Sequence, residues 1–213
     1  MSDYWKFTGE CSYSGPRSFE VPYVLSRLIP GNSIEIGGNQ SLFKWSLIRR
    51  GEPFTLIDPI GTTFNNGHNH RLATCLKGDI RKYTTDDLGK FDNVLLVSVL
   101  EHVSLPAYGQ TKDWKGSPRA EQLEAFRHCM KFVKPGGRMI CTMPHTTKTE
   151  EKDPKFSLRY NRSMLDDLYD GFKLVDEKLF ILTEPHYCDR WKQVTEKQTI
   201  GKRSNVCFTL ELK

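Results

Sequence analysis

Apolar and amphipathic segments alternate along most of the chain. Short apolar runs bounded by glycine, proline or charged residues are typical of strands, and apolar residues three or four positions apart are typical of helices. By these criteria strands are predicted over residues 33–36, 53–58, 72–76, 91–98, 138–144, 172–182 and 206–212. Helices are predicted over residues 21–28, 117–133 and 163–169, and another is predicted to follow residue 41.

The order of these elements favours an α/β fold. Strands and helices alternate through most of the chain, and the last two strands follow one another as a hairpin would. Since strands connected through helices pair in parallel, we expect a doubly wound, mainly parallel sheet of seven strands with an antiparallel C-terminal strand. Residues 1–213 are expected to form a single domain, in which residues 1–30 act as a cover or lid and residues 183–205 form a loop between the last two strands.

Composition narrows the class of protein. The chain has 213 residues, of which 38% are hydrophobic and 27% are charged, and these values are ordinary for a globular protein. No apolar run approaches the roughly 20 residues that span a bilayer, and the first residues lack the pattern of a signal peptide, so a cytoplasmic location is expected. The six cysteines are scattered without a C-x-x-C pair, which favours reduced thiols. A net charge of +5 permits an anionic substrate but lacks the footprint of a dedicated nucleic-acid binder.

A glycine turn follows the first predicted strand. Glu35 ends an apolar run, and Gly37 and Gly38 then allow a tight backbone turn before a helical pattern begins. In an open α/β sheet, ligands bind beyond the carboxyl end of this strand. The turn lacks the glycines that a G-x-G-x-x-G dinucleotide motif has at its third and sixth positions. It also lacks the Gly-Lys-Ser/Thr ending of a phosphate-binding loop. By itself, Glu-x-Gly-Gly is also compatible with a plain tight connection.

Acidic residues end the next two predicted strands. Asp58 lies roughly 20 residues beyond the glycines, a spacing at which a carboxylate at the neighbouring strand end holds ribose hydroxyls. An aspartate before a proline is also a common turn former. Asp79 could accept a hydrogen bond from an exocyclic amine while Ile80 packs against a flat base.

A series of short motifs resembles a known enzyme family. The motifs are Ile34-Glu-Ile-Gly-Gly, Leu56-Ile-Asp58, Gly78-Asp79-Ile80, Phe91-Asp92, Ser98-Val-Leu-Glu-His-Val and Val133-Lys-Pro-Gly-Gly-Arg. In this order, over about residues 30–182, they resemble the class I S-adenosylmethionine-dependent methyltransferases, which have a Rossmann-like fold. Family members usually carry glycine at the positions of Asn39 and Ser41.

The resemblance implies S-adenosylmethionine as the cofactor and assigns residues to it. Glu35, Gly37, Gly38 and Asn39 would lie under its methionine and ribose parts, Asp58 would hold the ribose hydroxyls, Asp79 and Ile80 would contact the adenine, and Ser98 and Val99 would line the sulfonium side. The implied activity is methyl transfer to an acceptor molecule.

A looser resemblance points to the acceptor. The segments Glu101-His-Val-Ser-Leu-Pro-Ala-Tyr108-Gly109, Met143-Pro-His145, Arg159-Tyr160 and Gly171-Phe-Lys-Leu-Val are similar to a bacterial methyltransferase-like group linked to surface-polysaccharide and sugar modification. This favours O-methylation of a sugar or glycan precursor. Tyr108, Trp114, Arg159 and Tyr160 are candidates for a wall that stacks on a sugar and hydrogen-bonds to it, although single aromatic residues more often serve packing.

A hydroxyl acceptor benefits from a general base. His102 follows the fourth strand and His145 follows the fifth, so both are candidates, and the alternative for each is local packing or capping. Glu101 could orient a histidine. We expect no metal site, because His68 and His70 stand two apart without a further ligand and fit a solvated loop.

Several other activities are disfavoured. The Asn/Asp-Pro-Pro-aromatic signature of DNA amino-methylating enzymes is missing after the fourth strand, where Ser98-Val-Leu-Glu stands, and no cysteine stands where a pyrimidine-C5 nucleophile would. A different class of function remains open: a non-catalytic module with this fold that binds a partner or RNA. An RNA methyltransferase is the other alternative.

Overall fold

Eight strands form one mixed sheet in the computed structural model, which describes residues 15–39, 41, 43–61, 71–105, 117–148, 157–184 and 190–212. The strands are β1 Ser33–Ile36, β2 Phe54–Asp58, β3 Ala73–Lys77, β4 Phe91–Val97, β5 Val133–His145, β6 Phe172–Glu184, β7 Arg190–Val194 and β8 Ser204–Leu212. Their order across the sheet is β3-β2-β1-β4-β5-β8-β6-β7. The first five pair in parallel, and β8, β6 and β7 are joined to the sheet and to one another by antiparallel pairs.

Helices cover both faces of this sheet. They are α1 Arg17–Arg27, α2 Lys44–Arg49, α3 Thr85–Leu88, α4 Pro118–Met130 and α5 Arg162–Tyr169. Alternate residues of β4 point to opposite faces, so Leu96 belongs to a core that includes Phe126 of α4, whereas Leu95 belongs to a core that includes Tyr23 of α1. Helices α4 and α5 therefore cover one face of the sheet, and α1 and α2 cover the other.

The predicted doubly wound α/β class is confirmed, with one correction to the strand count. The prediction had seven strands and a loop over residues 183–205, whereas β7 lies within that interval and adds an eighth strand at the sheet edge. Strand β6 continues to Glu184 and pairs with β7. Trp191 of β7 packs against Phe19 of α1, with 4.8 Å between ring centroids, and this apolar contact anchors a segment whose composition alone is polar.

The N-terminal and central boundaries also differ in detail. Within the predicted N-terminal cover, α1 is an integral layer of the core, since Tyr23 and Val24 are fully buried. Residues 1–14 lie outside the described part. Strand β5 begins at Val133, before the glycine pair that was predicted to precede it. No helix in the described ranges has the length and apolar character needed to cross a membrane.

Candidate functional site

The glycine turn brings the ends of β1 and β4 together. Gly37 has φ of +77°, and a Cβ atom there would lie 2.1 Å from Val99 Cγ2. A Cβ atom at Gly38 would lie 2.6 Å from Leu56 Cδ2. Gly37 is therefore required for space and for its positive φ, whereas a larger residue at Gly38 would have to displace the Leu56 side chain.

A cavity of about 380 Å³ opens at the carboxyl ends of the parallel strands. Seven of the nine residues predicted to contact a cofactor line it: Gly37, Asn39, Asp58, Asp79, Ile80, Ser98 and Val99. The volume lies within the range of ordinary small-molecule sites, roughly 300–1,000 Å³. Sequence positions separated by more than 60 residues thus meet at one sheet edge, as the parallel topology requires.

Asp58 connects the ends of β1 and β2. Its carboxylate is 6% exposed and accepts hydrogen bonds from the backbone amides of Asn39, at 3.1 Å, and Ile60, at 2.8 Å. A carboxylate has about four acceptor sites, so further donors can still be accommodated. Asn39 does not have positive φ; among the described non-glycine residues only Ser98 and Ser104 do. The turn therefore accepts asparagine where the family usually carries glycine.

Asp79 is held by Arg81, a residue that the sequence did not single out. The Arg81 amide and guanidinium donate to the Asp79 carboxylate at 2.9 Å and 2.6 Å. Burial acts to raise the pKa of Asp79, but the hydrogen bonds from Arg81 outweigh it and the pKa is lowered. Arg81 also lines the cavity. An ionised acceptor with a fixed orientation therefore stands at the end of β3.

Glu35 and Gly38 lie beside the cavity but are not among the residues that line it. Glu35 is 5% exposed, and its Oε2 atom has no hydrogen-bond partner. Burial raises the pKa of Glu35 to about 7, and a hydrogen bond with Ser41 opposes the shift. The Ser41 hydroxyl accepts from the amide of Lys44 at the start of α2. Glu35 and Ser41 thus stabilise the glycine turn without lining the cavity.

At the end of β4, Ser98 is tied to the N-terminal helix. Its backbone is left-handed, with φ of +50°, and its hydroxyl donates to Glu20 Oε1 of α1 at 2.6 Å. Glu20 is fully buried and also pairs with Arg17, which lines the cavity. Sequence reasoning missed Glu20 and Arg17, because nothing in the local pattern separates them from the solvated charges of an ordinary amphipathic helix.

His102 lines the cavity, in the 3₁₀ turn Leu100–His102 that follows β4. Its Nε2 atom lies 3.8 Å from Glu101 Oε1. Glu101 is 2% exposed, and its Oε2 atom has no partner. Burial raises the pKa of Glu101 to about 8, with a smaller contribution from the charge of Glu20. The His102 imidazole thus faces the cavity beside a buried carboxyl group whose own pKa is raised.

His145, the other candidate base, is not among the cavity-lining residues. It is 1% exposed, and its Nδ1 atom lies 3.1 Å from Ser204 Oγ. Because the Ser204 hydroxyl donates its proton to the His145 carbonyl oxygen at 3.0 Å, it must accept from His145 Nδ1, which places the ring proton there. Burial lowers the pKa of His145. His145, the last residue of β5, is therefore buried in the core, where it pairs with Ser204 of β8.

The predicted substrate wall is only partly described. Tyr108 and Trp114, together with the loop histidines His68 and His70, lie outside the described residues. Arg159 is exposed, but it does not line the cavity. Tyr160 is 2% exposed, and its hydroxyl donates to Gln122 of α4. The prediction that Tyr160 stacks on a sugar is therefore wrong, because its ring is enclosed in the core.

Comparison with known proteins adds to this geometry. No protein-family model matches the sequence, and no curated protein does at a significant level. Solved structures do match. A Pyrococcus horikoshii protein superposes with a TM-score of 0.61 at 13% identity, covering 92% of this chain and 89% of its own. The N-methyltransferase NodS from Bradyrhizobium japonicum, in complex with S-adenosyl-L-homocysteine, has a TM-score of 0.55 at 14% identity, covering 91% of this chain and 84% of its own.

A third match is a Burkholderia thailandensis 1,6-didemethyltoxoflavin-N1-methyltransferase with bound 1,6-didemethyltoxoflavin and S-adenosylhomocysteine. Its TM-score is 0.58 at 13% identity, and the match covers 90% of this chain and 74% of that one. The chain has the fold of the S-adenosylmethionine-dependent methyltransferases. The methyltransferase fold predicted from the motifs is thereby confirmed, and β7 is the strand that the prediction lacked.

Proposed function

We propose that this protein is an S-adenosylmethionine-dependent methyltransferase that methylates a hydroxyl group of a small acceptor, a sugar or a glycan precursor. The single observation that carries the proposal is the meeting of Asp58 and Asp79 with the Gly37 turn around one cavity at the carboxyl edge of the sheet. Two acidic acceptors at adjacent strand ends suit the two polar ends of a nucleoside, the ribose hydroxyls and the amino group of the base.

The residues present fit this cofactor. Asp58 retains acceptor capacity for ribose hydroxyls, and Asp79 is an ionised acceptor beside Ile80, whose side chain offers an apolar surface to a base. Gly37 lines the cavity without a side chain of its own, so its backbone is accessible to a ligand from the cavity side. When bound, S-adenosylmethionine supplies an activated methyl group on a sulfonium leaving group. The protein's task is then to hold the acceptor in line with that methyl group.

His102 is the proposed general base. It lines the cavity next to Val99, on the side of the site where the resemblance places the sulfonium. An acceptor hydroxyl has a much higher pKa than an imidazole, so it loses its proton to His102 only as the new bond to carbon forms. This role distinguishes a hydroxyl acceptor from a neutral amine, which already has a free lone pair for attack.

The acceptor class is the part of the proposal that rests on the looser sequence resemblance. Two of the three structures compared above are N-methyltransferases according to their names. Amine acceptors therefore belong in the same test as sugars. A screen of sugars, nucleotide sugars, phenols and amines with isotopically labelled S-adenosylmethionine, read by product mass, identifies the acceptor; labelled product from amines alone would exclude the O-methylation proposal.

Calorimetric titration with S-adenosylmethionine and with S-adenosylhomocysteine tests the cofactor directly. We expect a one-to-one complex with micromolar or tighter affinity. The competing function is a non-catalytic module that binds a partner or RNA, and it predicts no heat of binding from folded protein at millimolar ligand. Cofactor binding with labelled product from RNA, and none from small acceptors, would instead establish an RNA methyltransferase.

A further inference from the structure

Arg17 reaches the cavity from outside the sheet. It lies in the first turn of α1, its side chain is 38% exposed, and it lines the same cavity as Gly37 and Ser98. A positive charge at this end of the site is unexplained by the nucleoside contacts, because the acidic residues that suit a nucleoside are at the ends of β2 and β3.

A buried carboxylate fixes the position of Arg17. Glu20 is fully buried, and its Oε2 atom accepts from Arg17 Nη1 at 2.7 Å. The Oε1 atom of Glu20 accepts from the hydroxyls of Ser98, at 2.6 Å, and Thr142, at 2.8 Å. Three donors from α1 and from the ends of β4 and β5 therefore hold this carboxylate. Because Arg17 is oriented before any ligand arrives, less side-chain entropy is lost on binding.

The charge of Arg17 acts over the ends of β1 and β4. It favours the ionised forms of Glu35 in β1 and of Glu101 after β4. Arg17 also lines the cavity together with Gly37 and Ser98, the residues that follow these two strands. Asp79 lies at the opposite end of the cavity, beyond β2 at the end of β3. A ligand that puts its base at Asp79 and its ribose at Asp58 therefore has its remaining part directed towards Arg17.

We propose that Arg17 binds the carboxylate of the cofactor's methionine part and that Glu20 is its positioning residue. The inference rests on the proposed function, since it takes the cofactor and its orientation from there. A guanidinium has five N–H donors in a planar fork that matches a carboxylate, and the bond to Glu20 uses one of them. The same chemistry would fit a carboxylate carried by the acceptor, so the test must separate the two sources.

The test compares two ligands that differ only in this part. S-adenosylhomocysteine carries the amino acid with its carboxylate and its ammonium group, whereas 5′-methylthioadenosine keeps the nucleoside and the sulfur and lacks the amino acid. Dissociation constants are measured by calorimetry for the parent protein, Arg17→Gln, Arg17→Lys and Glu20→Gln. Arg27→Gln is the matched control, because Arg27 lies on the same helix and pairs with Asp176 instead.

A charged hydrogen bond contributes about 1.5–3 kcal/mol, so Arg17→Gln should weaken S-adenosylhomocysteine binding roughly tenfold to 150-fold. Binding of 5′-methylthioadenosine should stay within about twofold, which also shows that the variant is folded. Glu20→Gln should lower the preference for S-adenosylhomocysteine over 5′-methylthioadenosine by a smaller factor, and Arg17→Lys should retain part of it. Arg27→Gln should change neither constant.

Three outcomes would overturn the inference. Equal weakening of both ligands by Arg17→Gln would indicate a general structural role. Unchanged binding of both would indicate that Arg17 does not contact the cofactor and would leave the acceptor's carboxylate as its partner. If the parent protein binds neither ligand, the proposed function itself fails. Failure of the Arg17 inference alone is distinguishable from this, because the parent and the Arg17→Gln variant would then bind both ligands equally well.

Discussion

Val99 Cγ2 occupies the position next to Gly37 where a side chain would begin, 2.1 Å from an ideal Cβ atom. The two residues follow the ends of β1 and β4, which are neighbours in the sheet. Both residues line the cavity, and their contact closes one end of it. Val99 can pack this closely only because residue 37 has no side chain. The cavity therefore depends on a pair of residues 62 positions apart.

Replacing Gly37 with alanine should damage both stability and cofactor binding. The new methyl group would collide with Val99, and the alanine backbone would have to keep the φ of +77° that Gly37 has. Gly51→Ala is the matched control, since Gly51 follows α2 with φ of +74° and no atom lies within 4 Å of its ideal Cβ. We expect Gly51→Ala to cost about 1–2 kcal/mol of backbone strain, and Gly37→Ala to cost more and to weaken S-adenosylhomocysteine binding at least tenfold. Equal losses in thermal melts and calorimetry would show that the contact with Val99 is unimportant.

Asp58→Ala should weaken S-adenosylmethionine binding at least tenfold. The substitution removes the acceptor proposed for the ribose hydroxyls and also the bonds to the amides of Asn39 and Ile60. Asp58→Asn keeps one acceptor oxygen and should lose less affinity. Asp166→Ala is the control, because its side chain is 61% exposed on α5. Unchanged affinity of the Asp58→Ala variant in calorimetry would contradict the ribose assignment.

His102→Ala and His145→Ala should have different consequences. Loss of a general base lowers turnover by about 10²–10⁴-fold, and we expect a loss of this size for His102→Ala with little change in cofactor affinity. His145→Ala should leave turnover within about threefold and lower the melting temperature, because His145 is buried against Ser204. The measurement is methyl transfer to the identified acceptor, alongside thermal melts. Parent-like turnover in His102→Ala would remove it from the mechanism.

Glu101→Gln should make the protein more resistant to alkaline pH. The pKa of Glu101 is raised to about 8, whereas an unfolded glutamate titrates near 4.3. Between these values the folded protein keeps a proton that the unfolded chain has lost, so stability falls as the pH rises from roughly 4.3 to about 8. Glutamine stays neutral throughout.

The melting temperature of Glu101→Gln at pH 8.5 should therefore exceed that of the parent by several degrees, given about 2–4 °C per kcal/mol for a chain of this size. At pH 4, below both pKa values, the two proteins should differ little. Glu124→Gln, an exposed change on α4, should show no such difference. If the advantage of Glu101→Gln were the same at both pH values, ionisation of Glu101 would not be its cause.

Sequence reasoning recovered most of the architecture for local reasons. The apolar runs and the glycine and proline residues that bound them placed β1, β2, β3 and β4 within one or two residues of where they lie. It failed where a polar stretch becomes ordered through a distant contact. The polar composition of β7 predicts a loop, whereas the strand is anchored by the packing of Trp191 on Phe19, 172 residues away.

The candidate site divides in the same way. The turn at Gly37 and the acids at Asp58 and Asp79 were predictable, because strand ends in a parallel sheet share one edge and their chemistry stands next to the strand in the sequence. Tyr160 was misjudged, since only burial decides whether an aromatic ring faces a ligand or the core.

By itself, the sequence determined where β1, β2, β3 and β4 lie along the chain and which acidic and glycine residues stand at their ends, because hydrophobic periodicity and turn chemistry act over a few residues. Only the tertiary structure decided which charges are buried and what they touch. Glu20 becomes the link between Arg17 and Ser98 through packing of α1 on strands that lie 78 residues further along the chain. Such contacts depend on the packing of whole elements, and no local pattern encodes them.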